Sequence, residues 1–436
     1  MDTAIAGAGA PDGWFGMDQR LRGLSPSATL AISERSAALK ASGREVYRLG
    51  LGQSPFPVPE CVREKLRSSA HEKDYLPVRG LERLRAAVAA YHARRHGIMR
   101  TGDDVLIGPG SKELMFILQM TVEGELLLPQ PSWVSYEPQA RLAGRRVHWI
   151  PTDREDGRRI DPVALRHCCE GLPRGPRILL LNYPNNPVGT TLGADRLKEL
   201  AAVARHFGLL VLSDEIYGEL NHRAGHVSIA RYYPEGAIVS AGLSKWCGAG
   251  GWRLGTFSFP ERLRSLLDAM TVVASETFTA VSAPVQFAAT RAFDGGVEID
   301  DYLDRSRAIL QALGRAISAR MRASGIAVDE PEGGFYLMPD FSAREKRLKL
   351  AGIRSGSDLC ESVLQETGVA MLPGSCFGYP ESDLSARIAY VDFDGAPALA
   401  AARKENGGAL GAAFLDTHCG RVLKAVELLC DWFERF

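Results

Sequence analysis

The segment RILLLNYPNNPVGTTLGADRLKELAAVARHFGLLVLSD (177–214) contains the pattern that decides the fold. It begins with an apolar run, continues through a turn rich in asparagine and proline, and then shows helical periodicity over 193–208, with Gly208 as the expected stop. The apolar face of this helix consists of Leu197, Leu200, Ala201 and Ala204. A second apolar run follows at 209–214. The order strand, helix, strand is typical of a parallel sheet covered by helices.

The same alternation extends over much of the chain and predicts an α/β fold. Seven short runs rich in valine, isoleucine and leucine have the length and composition of strands buried on both faces. These runs lie at 104–108, 124–129, 146–151, 177–182, 209–214, 237–242 and 255–259. Helical patterns such as 111–122 separate them. We therefore expect a mainly parallel, seven-stranded sheet between layers of helices.

The later part of the chain predicts a smaller α+β unit. We expect long helices in 261–325, two strands around a turn in 325–341, a helix near 357–367, short strands in 369–375 and 386–393, and a closing helix at 418–436. The stretch 394–414 is rich in alanine and glycine, and we expect a loose connection there without a function.

These patterns divide the chain into a large and a small unit. The large domain is predicted at 61–330, and the small domain is predicted to combine 20–60 with 331–436. Residues 1–19 are predicted to be an N-terminal arm or a disordered segment.

The composition excludes several classes of protein. Of the 436 residues, 45% are hydrophobic and 24% are charged, as in ordinary globular proteins. The 52 basic residues balance the 52 acidic ones, so no net field favours nucleic acid or a membrane surface. No apolar run approaches the length of a membrane span, and the N-terminus does not resemble a signal peptide. Eight scattered cysteines without a C-x-x-C pair indicate reduced thiols in a cytoplasm and no metal site.

Chemically distinctive residues follow the ends of several predicted strands, where ligands of open α/β sheets bind. Gly110, Ser111 and Lys112 open the helix after the first strand, and free backbone N–H groups there favour an anion such as phosphate. A plain helix cap explains the same residues.

Two central strands end in polar residues. The turn YPNNPVGTT (183–191) presents Asn186 between prolines, although a purely structural turn is the simpler alternative. Asp214 ends the next strand, and Tyr217 follows it. A carboxylate at the end of a buried strand needs a cationic partner, whereas the alternative is a helix N-cap.

The loop SAGLSKWCGAGGWRLG (240–255) contains Lys245 and Arg253 among glycine, alanine and serine. A helix would avoid these glycines, since each costs about 1 kcal/mol relative to alanine. Either the loop is an irregular connection with a surface lysine, or its backbone comes close to a bound molecule.

One ligand, pyridoxal phosphate, would use all of these groups. Lys245 would form a Schiff base with its aldehyde, and Asp214 would keep the ring nitrogen protonated. Asn186 and Tyr217 would hydrogen-bond its phenolic oxygen. Arg253 and the amides of 110–112 would bind the phosphate. Trp133 would stack on the ring, unless it is a core residue.

Five segments of the chain resemble the class I/II aminotransferases of the aspartate aminotransferase family (fold type I). They are PGSKEL (109–114), PSWVSY (131–136), YPNNPVGTT (183–191), LSDEIYGEL (212–220) and GLSKWCGAGGWRLG (242–255). The resemblance runs from about residue 50 to 390. It implies a fold type I large domain, pyridoxal 5'-phosphate, and transfer of an amino group between an L-amino acid and a 2-oxo acid. It also implies a homodimer with active sites at the subunit interface.

The resemblance implies further site residues. Arg387, in ARIAYVDF, is similar to the arginine that binds the substrate α-carboxylate, and Gly52 matches the position where backbone approaches that carboxylate. Trp133 and Asn186 are expected to contact substrate as well. Tyr75 resembles the tyrosine that reaches the phosphate of the partner subunit's cofactor, so its role presupposes a dimer. Surface, turn or packing roles are the alternatives.

Three features depart from the family pattern. Gly242 stands where many relatives carry a phosphate-binding serine, so either Ser244 compensates or fewer groups hold the phosphate. Val188 replaces the usual threonine of the amide turn. The 394–414 segment is longer than the usual connection and lies close in sequence to Arg387, so either it alters specificity or it lies outside the site.

Two other functions fit parts of this pattern. A different reaction on the same cofactor, such as elimination, aminocyclopropane-type or biosynthetic cyclisation, or decarboxylation, would need the same lysine, aspartate and arginine. A regulatory ligand sensor would carry a DNA-binding domain ahead of this fold, and fewer than 50 residues precede LGLGQSP. The sequence favours the aminotransferase and does not identify its amino acid.

Overall fold

The structure is a computed structural model that describes residues 18–21, 28–223, 225–405 and 410–436. Most of the predicted N-terminal arm therefore lies outside the described residues. Among the helices of the described ranges, none combines the length and the hydropathy needed to cross a bilayer.

Strands and helices alternate along the chain as predicted. The strands of the described residues are β1 (Tyr47–Arg48), β2 (Val105–Gly108), β3 (Glu125–Pro129), β4 (Val147–Ile150), β5 (Arg177–Asn182), β6 (Leu210–Asp214), β7 (Ala237–Gly242), β8 (Gly255–Ser258), β9 (Tyr336–Leu337), β10 (Val369–Ala370), β11 (Leu372–Pro373) and β12 (Ala386–Ala389). The helices are α1 (Ala28–Ala41), α2 (Glu60–Ser68), α3 (Glu82–His96), α4 (Ser111–Thr121), α5 (Tyr136–Leu142), α6 (Pro162–Glu170), α7 (Ala194–Phe207), α8 (Arg264–Ser275), α9 (Ala283–Asp294), α10 (Val297–Ala323), α11 (Glu345–Leu350), α12 (Gly356–Thr367), α13 (Gly395–Ala402) and α14 (Ala412–Glu434).

The large sheet contains all seven predicted strands, in the spatial order β2-β8-β7-β6-β5-β3-β4. The pairs among β3 to β7 are parallel, whereas β8 runs antiparallel to both β2 and β7. The prediction of a mainly parallel seven-stranded sheet is therefore confirmed.

Helices cover the sheet on both faces because alternate strand residues point to opposite sides. On one face Leu179 and Leu181 of β5 pack in a core with the buried residues of α6 and α7. On the other face Ile178 and Leu180 belong to a core with α4 and α8. Continuous apolar strands are the consequence of this burial on two sides.

The helix α7 shows how the local sequence sets these boundaries. The four predicted apolar positions are buried, and the helix ends at Gly208. Gly208 has a φ of 62°, and its N–H bonds the carbonyl groups of the last turn. Glycine adopts this left-handed conformation without the steric cost that other residues incur.

The C-terminal part forms a small sheet with the order β11-β12-β9, and its strand β10 pairs with β1 from the N-terminal part of the chain. The predicted helix near 357–367 is confirmed by α12. The prediction of two strands in 325–341 is wrong for the first strand, because Ala327 makes only an isolated bridge to Asp340. The closing helix starts at Ala412, six residues before the predicted position.

For the described residues of the 394–414 segment, which exclude 406–409, the expectation of a loose connection is also wrong. Its first part is α13, capped by the Asp394 side chain, which accepts a hydrogen bond from the backbone N–H of Ala396. Ala398 and Leu399 are buried in the core that α10 and α14 share. The alanines that suggested a loose chain are strong helix formers. The predicted domain boundaries remain a prediction.

Candidate active site

A cavity of about 220 Å³ lies where the central parallel strands end. Asn182 ends β5, Asp214 ends β6, and the loop after β7 leads to Ser244 and Lys245. The residues lining the cavity are Ser111, Lys112, Trp133, Tyr136, Asn182, Asn186, Asp214, Ile216, Tyr217, Ser244, Lys245 and Arg253. Nine predicted site residues are among them, brought together from separate strand ends.

Asp214 is a buried carboxylate held from two sides. Tyr136 donates its hydroxyl proton to Oδ2 over 2.7 Å, and Ser240 on the adjacent strand β7 donates to Oδ1 over 3.3 Å. Burial raises the pKa of Asp214 to about 6, against the opposing effect of these hydrogen bonds and of Lys245. A cationic ring nitrogen in the cavity would favour the ionised form.

The residue after Asp214 points away from the cavity into a buried polar network. Glu215 Oε2 lies 2.8 Å from Nε2 of His226, and its Oε1 accepts hydrogen bonds from Ser213 and Ser228. Burial acts to raise the pKa of Glu215, but His226, with smaller effects of His96 and Ser228, lowers it to about 2. This network fixes the chain that leads from β6 toward Tyr217.

Asn186 connects both walls of the cavity. The side-chain carbonyl of Asn182 accepts a hydrogen bond from the Asn186 backbone N–H over 2.8 Å, which holds the turn against β5. The Asn186 Nδ2 lies 3.5 Å from the Tyr217 hydroxyl, and its Oδ1 accepts from Arg387 over 3.2 Å. Burial raises the pKa of Tyr217 well above its ordinary value, so its hydroxyl keeps its proton.

The Lys245 side chain crosses the cavity toward the N-terminal part of the chain. Its Nζ donates a hydrogen bond to the Gly52 carbonyl oxygen over 2.7 Å. It also lies 5.7 Å and 5.8 Å from the ring centres of Tyr217 and Phe335. Cation–π attraction and one strong acceptor therefore orient the amine.

The opposite end of the cavity suits an anion. Within the described residues, no side chain caps α4, whose N-cap is Gly110 with a φ of 91°. A side chain at Gly110 would also collide with the Arg253 guanidinium. The first-turn N–H groups of α4, Arg253 and the half-buried Ser244 thus converge.

Lys112 contributes a further cation to the cavity. Its Nζ lies 5.5 Å from the centre of the Trp133 ring. Burial, followed by the repulsion of Arg253, lowers the pKa of Lys112. A bound carboxylate or phosphate would offset both the burial of the Lys112 charge and its repulsion by Arg253.

Arg387 lies beside the cavity and is 1% exposed. Its guanidinium donates to the carbonyl oxygen of Gly50 and to Asn186, and it lies between the rings of Tyr336 (4.9 Å) and Phe377 (5.2 Å). Its Nε has no hydrogen-bond partner among the described residues. Burial lowers the pKa of Arg387. A buried guanidinium with an open donor is suited to a carboxylate ligand.

Two predicted residues are placed differently from the rest. Gly52 acts through its carbonyl oxygen, which accepts from Lys245. Tyr75 is 94% exposed and lies outside the cavity-lining set, so its role at a partner's site remains a prediction.

Four residues escaped the sequence prediction. Asn182 follows the same rule that identified Asp214, since it is a polar residue at the end of a buried strand, and Ile216 lies between two predicted residues. Tyr136 and Tyr336 come from α5 and β9, and their approach to the site depends on tertiary packing.

The departures from the family pattern have structural reasons. A side chain at Gly242 would press against the Leu254 carbonyl oxygen, at 2.8 Å from the added Cβ. Ser244 lines the cavity instead. Val188 is buried with Met338, Leu372 and Phe377, where a hydroxyl would need a partner.

The donor set fits pyridoxal phosphate on its chemistry. An uncapped helix start and Arg253 match a phosphate, the buried carboxylate of Asp214 matches a protonated pyridine nitrogen, and an amine is available from Lys245. An added Cβ at Gly110 would meet the Arg253 guanidinium, so this cation lies directly at the start of α4, as suits a phosphate site.

Comparison with known proteins identifies the family to which this chain is similar. Residues 44–395 match the family model described as "Aminotransferase class I and II". The chain is 33% identical over 383 residues to the aspartate aminotransferase of Geobacillus stearothermophilus, a match that covers 86% of this chain and 94% of that protein. It is 30% identical over 382 residues to the aspartate aminotransferase of Bacillus sp. (strain YM-2), with 85% and 94% covered.

A solved structure shares the whole architecture. The aspartate aminotransferase from Thermus thermophilus with maleate superposes with a TM-score of 0.80 at 26% identity, covering 91% of this chain and 100% of that one. The family match over most of the chain and the shared seven-stranded fold show that this chain belongs to the class I and II aminotransferases and has their fold type I architecture.

Proposed function

We propose that this aminotransferase uses pyridoxal 5'-phosphate, with Lys245 as the covalent anchor and the catalytic base. The observation that carries the proposal is that Lys245, Asp214 and the anion-binding start of α4 line one cavity. When bound, the cofactor ring supplies an electron sink for the bond broken at the substrate α-carbon.

Each polar group of the cavity has a proposed task. Asp214 holds a proton on the ring nitrogen, and Asn186 and Tyr217 donate to the phenolic oxygen. The phosphate is bound by Ser111, Ser244, Arg253 and the amides of residues 110–112, and Trp133 stacks on the ring. Lys245 Nζ takes the α-proton of the amino acid, and its hydrogen bond to Gly52, a proposed neighbour of the substrate carboxylate, supports this role.

The substrate α-carboxylate is proposed to bind Arg387, with Gly52 and Asn186 beside it. Binding the carboxylate satisfies the open Nε of this arginine and compensates its buried charge. Because the guanidinium is already held by Gly50, Asn186 and two rings, little ordering is needed on binding.

We propose an amino acid with a second carboxylate as the substrate. The relatives are aspartate aminotransferases, and the Thermus structure contains maleate, a dicarboxylate. In this chain Lys112 supplies a cavity cation beyond those assigned to the phosphate and the α-carboxylate. Its amine is proposed to bind the distal carboxylate, while its backbone N–H remains at the phosphate end.

The assembly is proposed to be a cytoplasmic homodimer. The almost fully exposed Tyr75 would then reach the phosphate in the partner's site. The large and small domains are proposed to follow the predicted boundaries, with the cavity on the large one and Arg387 on the small one.

The test is a half-reaction with the cofactor-loaded protein and aspartate in the absence of any oxo acid. One equivalent of 2-oxo acid per chain, together with the aminated cofactor, is expected. Lys245→Ala should abolish this product, whereas Lys198→Ala on the exposed face of α7 should not change it. Release of ammonia, or of carbon dioxide without transfer of the amino group to the cofactor, would contradict transamination and support the alternative cofactor chemistry, which the comparisons do not favour.

A further inference from the structure

Tyr336, at the start of β9, connects two parts of the site that the proposed function treats separately. The side chain is 1% exposed and comes from the small three-stranded sheet. It reaches across to Tyr217, 119 residues away in the sequence, which belongs to the segment after β6.

The hydroxyl of Tyr336 contacts the hydroxyl of Tyr217. The two oxygen atoms are 2.9 Å apart, so one phenol donates to the other. The rings meet edge to face, with centroids 5.5 Å apart and an interplanar angle of 85°. Because the bond is buried, it fixes the direction of the Tyr217 O–H group.

The ring of Tyr336 contacts the Arg387 guanidinium, whose central carbon lies 4.9 Å from the ring centre. The ring of Phe377 lies 5.2 Å from the same carbon. Arginine binds well to aromatic faces because its planar group is weakly hydrated. The two rings therefore restrict the position of the guanidinium.

The same phenol also explains why residue 52 is a glycine. A Cβ at Gly52 would overlap the Tyr336 hydroxyl. The Gly52 carbonyl in turn accepts the hydrogen bond from Lys245. Tyr336 is thus in contact with the backbone that orients the lysine.

We propose that Tyr336 is a positioning residue with two separable roles, in which its hydroxyl orients Tyr217 and its ring orients Arg387. The inference rests on the proposed function, since it assigns these two residues to the cofactor and to the substrate carboxylate. It predicts that the two roles respond to different substitutions.

Tyr336→Phe removes the hydroxyl and keeps the ring. Tyr217 then loses its fixed direction, so the deprotonated form of the lysine-bound cofactor is less stabilised. We expect the pH midpoint of the visible spectrum to rise by about half a unit to one unit. The affinity of the cofactor-free protein for pyridoxal phosphate should fall about threefold to tenfold. Binding of maleate, an unreactive dicarboxylate, should stay within about twofold of the unsubstituted protein, because the ring over Arg387 remains.

Tyr336→Leu removes both groups. The spectral midpoint should rise as in the Phe variant, and the maleate dissociation constant should now rise by about tenfold or more. Tyr233→Phe is the matched control, since Tyr233 is a buried tyrosine that donates to the Leu209 carbonyl oxygen and lies outside the cavity. It should change neither quantity, and thermal unfolding of each variant checks that it is folded.

Each half of the proposal has its own contrary result. An unchanged pH midpoint and cofactor affinity in Tyr336→Phe would overturn the role of the hydroxyl. Maleate affinity that is unchanged in Tyr336→Leu, or equally weakened in Tyr336→Phe, would overturn the separate role of the ring. If the unsubstituted protein bound neither pyridoxal phosphate nor maleate, the proposed function itself would fail, which is distinguishable because it needs no variant.

Discussion

Asp214→Asn should change how the stability of the cofactor-free protein depends on pH. Burial raises the pKa of Asp214 from 3.8 to about 6 in the folded chain. The folded state therefore holds this proton more tightly than the unfolded state does. The stability that it contributes is fully present below pH 4 and is lost as the pH rises through 6.

The size of the effect follows from the shift. Two pKa units correspond to about 3 kcal/mol in the free energy of unfolding, of which about half is lost between pH 5 and pH 8. The asparagine variant has no titrating group at this site. The free energy of unfolding of the unsubstituted protein minus that of the variant should therefore fall by about 1.5 kcal/mol from pH 5 to pH 8.

Urea denaturation followed by tryptophan fluorescence measures this difference at each pH. Asp416→Asn, at an exposed position on α14, is the control and should show no such trend. Asparagine keeps one acceptor oxygen for Tyr136 or Ser240, and the loss of the other hydrogen bond shifts the whole curve without changing its slope. If this difference in the free energy of unfolding did not change with pH, burial would not raise the pKa of Asp214 in the cofactor-free protein. If the difference rose with pH, the pKa of Asp214 would be lowered.

Three further substitutions test other parts of the site. Arg387→Gln should raise the KM for the amino acid by about 30-fold or more in steady-state kinetics, because it removes a buried charged partner; an unchanged KM would move the carboxylate elsewhere. Lys112→Met should raise the KM for aspartate by about tenfold and leave that for alanine within about twofold, whereas equal changes would assign Lys112 to the cofactor alone. His226→Ala should lower the free energy of unfolding by about 3 kcal/mol in urea denaturation, because it leaves Glu215 buried without its partner; a loss below about 0.5 kcal/mol would mean that the network relaxes around the carboxylate.

The large sheet was predictable because its strands are apolar on both faces and the helices between them have a buried stripe and a clear stop, as in α7. The place of the candidate site could be predicted from the same strands, because parallel strands bring their carboxyl ends together. Asn182 could have been found by that rule. The helix α13 had two local signals, the N-cap Asp394 and a run of alanine, but the alanine- and glycine-rich composition of the whole 394–414 segment suggested a loose chain.

Tyr136 and Tyr336 could not be predicted in the same way. Tyr136 starts α5 and donates to Asp214 at the end of β6, and neither residue carries a local signal of the other. Tyr336 reaches Tyr217 only through the placement of the small sheet against the large one. Contacts of this kind depend on how whole elements dock, which residue spacing does not encode.

The attachment of the cofactor to Lys245 is the central claim, and reductive trapping tests it most directly. The protein is loaded with pyridoxal phosphate, reduced with sodium borohydride, digested and mapped by mass spectrometry. We expect the mass of a reduced pyridoxyl phosphate on the peptide that contains Lys245. An adduct on Lys112 instead, or an active protein without any adduct, would contradict it.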